Sequence, residues 1–504
     1  MTVVLTGHDL DRGQLVRVAR DGEAVTLDPA ARARMDRTHA IVLRAVETGV
    51  PVYGTTTGVG VLKRVELDPA DGARYSSWML GHHVVGQGPL VPRDVVRAAM
   101  ARLANHLAEG SPGVRPIVAE RLIDALNADE TPQVHAVGSV GQADLAPLAE
   151  ICVALFAGGS LALDPGEGTA LLDNNAFSTG WAALAVEDTE DLLDAVEVAA
   201  AVSLDGFSAN PSILHPQVGR ARPYPGLQQT LGRLADLLAG SAIHDPGVAR
   251  NLQDPLSFRT IPQVLGAGRD ALAHVDAILA IELNANQGNP IVVDDERIVS
   301  VGNFEILPLA AALDYLRIVL ASVLSAAAER VVKSLYPLWS GLPTGLAPDG
   351  GTAHAGLTYL SLTAQSLAVE ARLLAAPVSF ELVSTSHAEG IEDRTTMAPL
   401  AARRLADMVD LGAAIAAIEM TVGAQAVEVR GQRPGRGTRL AIEAIRGHVP
   451  FLTMADHVPD VAGLAAAVRT GEIARAAGRG PSTQVAGSGR VGAQTGGNGD
   501  VDRP

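Results

Sequence analysis

Six short stretches of this 504-residue sequence gather the side chains able to move a proton or grip an anion. They are "PVYGTTTGVG" (51–60), "VGSVGQADL" (137–145), "LDNNAFSTG" (172–180), "QDPLSFRTIPQ" (253–263), "NQGNP" (286–290) and "SHAEGIEDRTT" (386–396). All are rich in Gly, Asn, Asp and Thr, with isolated Tyr, Arg and Glu. A phenol acts as a base only if its pKa falls well below about 10, and a guanidinium offers a carboxylate two parallel hydrogen bonds. Loops held at the ends of rigid helices commonly carry function, so these six are expected to converge on one pocket. The 137–150 segment reads as a tight glycine turn running into an apolar helix. In it Gln142 and Asp144 are expected to be structural, the Asp144 side chain capping the helix that begins near Leu145, and Ser139 is expected to make a local backbone hydrogen bond.

The elements that position these loops are legible in the apolar spacing. Leu309, Leu313, Leu316, Leu320, Val323 and Leu324 recur at steps of three and four behind Pro308, and Leu405, Met408, Leu411, Ile415, Ile418 and Val422 do so behind Pro399. Each pattern predicts a long helix with a buried face, entered through a first-turn proline. A third helix is predicted over 263–285. Only 3% of the residues are aromatic although 47% are hydrophobic, so the core must be built from Ala, Leu and Val, which suits close-packed helices. The expected organisation is a loop-rich region over 1–180, a long-helix region over 181–477 and a disordered Gly/Ser-rich tail over 478–504.

The net charge of −17 repels polyphosphate backbones and argues against nucleic acid as a partner. The start, "MTVVLTGHDLDRG", carries acidic residues where a secretory signal would have a basic start and a long apolar run. Uncharged apolar segments such as 318–328 are too short to span a bilayer, so no membrane partner and a cytoplasmic location are expected. Cys152 is the single cysteine, which excludes a disulfide within the chain and predicts a buried thiol. No metal site is expected.

In order and in spacing, "YGTTTGVG", "GSVG.ADLAPLA", "QDPLSFRTIPQ", "NQGNP", "GNF" and "EDRTTMAP" resemble the aromatic amino acid lyase family of histidine, phenylalanine and tyrosine ammonia-lyases and related aminomutases, over about residues 5–477. The resemblance implies a mainly α, ammonia-lyase/fumarase-like homotetramer with an elongated central bundle of long helices, active sites shared between subunits and a small-molecule carboxylate substrate. It implies that Tyr53 is the catalytic acid or base, that Arg259 holds the substrate carboxylate with help from Asn289, and that Glu392, Gln253 and Phe304 line the pocket. His82 and His83 occupy the pair that tunes side-chain selectivity, and one of them is expected to touch substrate. His83 and Glu392 join Tyr53 in the implied catalytic set.

The same resemblance exposes departures. The family's prosthetic group, methylidene-imidazolone, forms from an Ala-Ser-Gly tripeptide where this chain has Gly141-Gln142-Ala143-Asp144, one residue shorter and without that Ser and Gly. Cyclisation at Gly138-Ser139-Val140 is hindered by the β-branched Val140. No cofactor is therefore expected, and Gln142 takes a place beside the substrate. Leu256 replaces a tyrosine, Asp173 an asparagine and Ile391 a glutamine. Three functions remain open: a cofactor-free enzyme that adds, eliminates or closes a ring by acid/base chemistry; an ammonia-lyase with an unrecognised electrophile; and a ligand-binding pseudoenzyme.

Overall fold

The computed structural model describes residues 2–68, 71–156, 161–293, 296–348, 354–380, 387–453 and 457–478. Apart from Gly478, the tail expected to be disordered lies outside the described residues. Long helices over Arg93–Ala108, Ala176–Phe207, Ile261–Glu282, Leu307–Leu335 and Ala398–Arg430 build the core. Among the described residues the β structure is confined to two-stranded sheets and isolated bridges.

The apolar stripes lie where their spacing puts them. Leu309, Leu313, Leu316, Leu320, Val323 and Leu324 are buried on Leu307–Leu335. The stripe on Ala398–Arg430 is buried except for Leu411, which is half-buried. The third helix ends at Glu282 instead of 285. The reason is Arg102, a buried guanidinium whose Nε and Nη2 donate to the carbonyls of Glu282 and Ala285 (2.9 and 2.6 Å), satisfying the helix end from the side. Cys152 is buried, and burial pushes its thiol pKa up. The boundary expected near residue 180 falls inside the unbroken Ala176–Phe207 helix.

Small residues bring the helix axes together and reveal their directions. A Cβ on Gly206 would lie 2.8 Å from the Ala426 Cβ, and one on Gly412 would lie 2.5 Å from Leu192 Cδ2 and 3.1 Å from Leu324 Cδ2. Arg330 meets Glu419 further along. Position numbers rise together in all these contacts, so Ala176–Phe207, Leu307–Leu335 and Ala398–Arg430 run parallel, with their N-termini at one end. Ile261–Glu282 runs the opposite way: Arg269 pairs with Glu197, and Gln287, beyond the helix C-terminus, reaches Thr179.

Leu307–Leu335 is long and apolar enough to cross a membrane by length and composition alone. Here it is a core helix that carries buried ion pairs, Arg317 with Asp314 and Arg330 with Glu419. The second is bidentate (2.5 and 2.9 Å), takes a further hydrogen bond from Ser203 Oγ (2.8 Å), and reaches the Ser257 carbonyl through Arg330 Nη1 (3.3 Å). One ion pair thus joins three long helices and the short Leu256–Arg259 helix.

Candidate active site

The 138–144 turn lies where the three parallel N-termini meet. Thr396 and Met397, at the start of Ala398–Arg430, donate their N–H groups to the Val140 carbonyl (3.2 and 2.9 Å), and Thr396 Oγ1 donates to the Gly141 carbonyl (2.8 Å). Gly141 has φ +79°, and a Cβ there would collide with Thr396 Oγ1, so only glycine fits. Gln142 bridges to Glu305 at the entry of Leu307–Leu335, its Nε2 donating to Glu305 Oε2 at 2.8 Å.

Asp144 corrects the expectation drawn from its position. Its carboxylate accepts from Ser139 Oγ, from the Ser178 N–H and from Ser178 Oγ, each at 2.7 Å, so it caps the first turn of Ala176–Phe207 and not the helix that follows it at Leu145–Phe156. Pro147, third in that following helix, has no N–H to offer a cap. Gln142 likewise caps nothing. Ser139 makes the local bond expected of it, accepting the Gly141 N–H at 3.1 Å.

Beside this turn stands a cluster built from four separate segments. The Tyr53 hydroxyl accepts the Gly60 N–H (2.9 Å). Asp173 follows the Glu167–Leu172 helix as its C-cap, and its Oδ2 accepts from Asn289 Nδ2 at 3.5 Å. Asn289 Oδ1 accepts the Val301 N–H (2.8 Å), which turns the amide NH2 toward Asp173. Glu392 arrives on a segment closed by the His387 and Glu392 backbones, and its Oε1 lies 3.7 Å from where a Gly60 Cβ would be, over the loop that holds Tyr53.

The electrostatics of this cluster are negative. Burial pushes the Asp173 carboxyl up to about 7, the Glu392 charge adding to the shift and the Asn289 amide opposing it. Burial also raises Tyr53 above its ordinary value, with Asp173 and Glu392 adding and the Gly60 N–H opposing. The charged groups that face the phenol within this chain are anionic, opposite to the positive charge that would lower its pKa. Within this chain the Tyr53 hydroxyl is thereby held in its protonated form.

Arg259, Gln253 and Leu256 are not in this cluster. Phe258 stacks on Phe207 with ring centroids 4.0 Å apart, at the C-terminal end of the 32-residue Ala176–Phe207 helix, whereas Asp173 and Asp144 sit at its N-terminal end. At 1.5 Å per residue the two ends are roughly 45 Å apart. Within one chain Arg259 therefore cannot share a ligand with Tyr53 or meet Asn289, whose amide donates to Asp173. Arg259 is exposed and donates to Gln253 Oε1; Leu256 is 62% exposed.

The remaining expected residues are spread around the Tyr53 end. His82 ends the Gly72–His82 helix and is exposed, and His83 Nδ1 is bonded to the Met79 carbonyl (2.8 Å). Phe304 is half-buried next to Glu305. A cavity of about 20 Å³ behind Asn289 has room for a single water, not a substrate. His39, Asp164 and Glu167 lie close enough to suggest a metal site. Arg115 fills it, donating to both Glu167 oxygens (2.9 and 2.6 Å) and lying 3.1 Å from Asp164 Oδ2. Sequence reasoning missed Glu305 and Thr396, which fix the turn; the signal was their place inside the "GNFE" and "EDRTT" motifs.

The aromatic amino acid lyase family model matches residues 10–447. The chain belongs to that family. Histidine ammonia-lyase of Deinococcus radiodurans is 34% identical, the match covering 94% of this chain and 95% of that protein; the Symbiobacterium thermophilum histidine ammonia-lyase is 35% identical over 94% and 98%. Among solved structures, ergothionase from Treponema denticola, in complex with desmethyl-ergothioneine sulfonic acid, superposes with a TM-score of 0.89 at 27% identity, covering 94% of this chain and 99% of its own. Tyrosine aminomutase from Streptomyces globisporus gives 0.88 at 28%, covering 94% and 98%.

Family members normally use methylidene-imidazolone, and the residues at this turn do not fit it. Positions 142–144 offer neither a serine hydroxyl to eliminate nor a glycine amide to cyclise. Asp144 is committed to three donors, and the Ser139 hydroxyl is committed to Asp144. Because Thr396 and Met397 hold the Val140 carbonyl, the backbone around Ser139 is tied down on the opposite side.

Proposed function

We propose that this chain is a lyase-like enzyme of specialised metabolism that works without methylidene-imidazolone, adding, eliminating or closing a ring by acid/base chemistry on a carboxylate-bearing unsaturated or amino-acid-derived small molecule. The observation that carries this reading is the rebuilt turn: the segment that makes the family's electrophile has become a helix cap, while Tyr53, Asn289 and Arg259 remain. One positioned acid or base supplies typically ~10²–10⁴-fold, and orientation supplies more, enough for an already activated substrate. Tyr53 donates the proton, and Arg259 of a second copy anchors the carboxylate. The ammonia-lyase reading draws on the relatives' names and keeps the same residues, but needs an electrophile that 138–144 does not offer. A pseudoenzyme reading leaves the retained Tyr, Asn and Arg without a task.

Two measurements test the proposal. The intact mass of the purified protein is expected to equal the sequence mass, with no near-ultraviolet band from a dehydrated tripeptide. A deficit of two waters, one from ring closure and one from the serine, localised to residues 138–140 would overturn it. In light scattering the protein is expected to run as a tetramer at micromolar concentration, since the roughly 45 Å between Arg259 and Tyr53 in one chain must be closed by another copy. A stable, active monomer defeats the shared site.

A further inference from the structure

The short helix Glu167–Leu172 lies against the Tyr53 loop and ends in Asp173, its C-cap. Its start is fixed from outside: the buried Glu167 carboxylate accepts from the Arg115 N–H (3.0 Å), from Arg115 Nε and Nη2 (2.9 and 2.6 Å) and from the Asp164 N–H (2.7 Å). The loop reaches this anchored helix at Gly54, where φ is +69° and a Cβ would fall 2.2 Å from Thr169 Oγ1, so only glycine permits the approach. There Thr169 Oγ1 donates to the Gly54 carbonyl at 2.9 Å; its other neighbour, Met79 Sδ at 3.9 Å, is a weak acceptor. Threonines elsewhere in the core turn their hydroxyls back along their own helix, Thr189 to the Ala185 carbonyl (2.7 Å) and Thr421 to that of Ala417 (2.8 Å). Thr169 reaches across to another segment instead. Among the described residues no other group donates to the Gly54 carbonyl. Thr169 and Gly54 are buried within one chain, where no second copy reaches them. The main chain of the same residue serves the other partner, the Thr169 carbonyl accepting the Asp173 N–H at 2.8 Å. One threonine thus grips the loop of Tyr53 by its side chain and Asp173 by its backbone.

We propose that Thr169 is the positioning residue for Tyr53, its hydroxyl fixing the phenol in place through the carbonyl of the adjacent Gly54. The inference rests on the reading of Tyr53 as the proton donor and adds the group that holds it there. A misplacement of about 1 Å can cost about 10²-fold in rate, so a proton donor carried on a loop needs such an anchor. Removing the hydroxyl leaves the buried Gly54 carbonyl without a donor, and the loop regains a bonded state only by moving away from the helix.

The test reads amide hydrogen exchange in the full-length assembled protein without ligand, resolved to single residues by mass spectrometry. The reporter is the Gly60 N–H, which donates to the Tyr53 hydroxyl and so follows the position of the phenol. Thr169→Val keeps the shape and removes the donor. Its Gly60 amide is expected to exchange about tenfold or more faster than in wild type, as in Tyr53→Phe, while the amides of the Ala176–Phe207 helix keep their wild-type rates. Thr169→Ser, which retains the hydroxyl, is expected to restore the wild-type rate at Gly60. Should Thr169→Val fail to fold, Thr169→Ala, too small to crowd the site, takes its place with the same expectation. The proposal is overturned by a wild-type Gly60 rate in Thr169→Val, by a Thr169→Ser protein that exchanges as fast as Thr169→Val, or by an acceleration shared equally with the Ala176–Phe207 helix. Failure of both the Val and the Ala variants to fold overturns it as well, since Thr169 would then be a general stabiliser. Because no turnover is read, its fate is separable from that of the proposed function. A fully active Tyr53→Phe enzyme sinks the proton-donor reading alone, and unchanged Gly60 exchange in Thr169→Val beside an inactive Tyr53→Phe sinks this inference alone.

Discussion

Tyr53→Phe is expected to lower turnover of the true substrate by ~10²–10⁴-fold while changing its binding by no more than a few-fold. The substitution removes one oxygen from a ring whose position is set by the loop around it, so shape is kept and the transferable proton is lost. The Gly60 N–H loses its acceptor at the pocket surface, which is a small structural penalty next to the kinetic one. Because burial and the charges of Asp173 and Glu392 hold the phenol above its ordinary pKa, wild-type activity should not require a deprotonated tyrosine near neutrality. An activity that rises only at strongly alkaline pH would make Tyr53 a base instead of a proton donor, and a Tyr53→Phe enzyme as fast as wild type would remove the hydroxyl from the mechanism. Co-expressing Tyr53→Phe chains with Arg259→Ala chains is expected to restore part of the activity that each lacks alone, because some pockets then draw an intact Tyr53 and an intact Arg259 from different copies.

Glu419→Ala is expected to cost ~3–5 kcal/mol of stability, because it strands the buried guanidinium of Arg330 and leaves Ser203 without its acceptor. The measurement is the denaturation midpoint, followed alongside oligomeric state because subunit association contributes to it. The loss should be larger than that of a paired replacement, Arg330→Met with Glu419→Leu, in which no charge is left unpaired. Since Arg330 also holds the Ser257 carbonyl, the single variant should loosen the loop that carries Arg259 and weaken carboxylate binding as well. A Glu419→Ala midpoint equal to that of wild type would mean the ion pair contributes nothing.

The sequence by itself determined the helical scaffold and named the candidate residues of the site. Burial along a helix depends on residues three and four apart, which is local information, so the stripes on Leu307–Leu335 and Ala398–Arg430 were readable, down to the prolines in their first turns. The six motifs in family order identified Tyr53, Asn289, Arg259 and Glu392, and the missing Ser and Gly at 142–144 were plain in the letters. Tertiary structure alone decided what each group touches. Asp144 looked like the cap of its own helix, yet with Pro147 withholding an N–H it caps a helix that starts more than thirty residues later. Tyr53 read as an acid or a base, and the fold set Asp173 and Glu392 beside it, which together with burial raise its pKa. Asn289 and Arg259 stand at opposite ends of the Ala176–Phe207 helix within one chain, so only a second copy can bring them together. Protonation and site membership depend on which charges and which ends of long elements come together in space, and those distances are fixed by packing between segments that are remote in sequence.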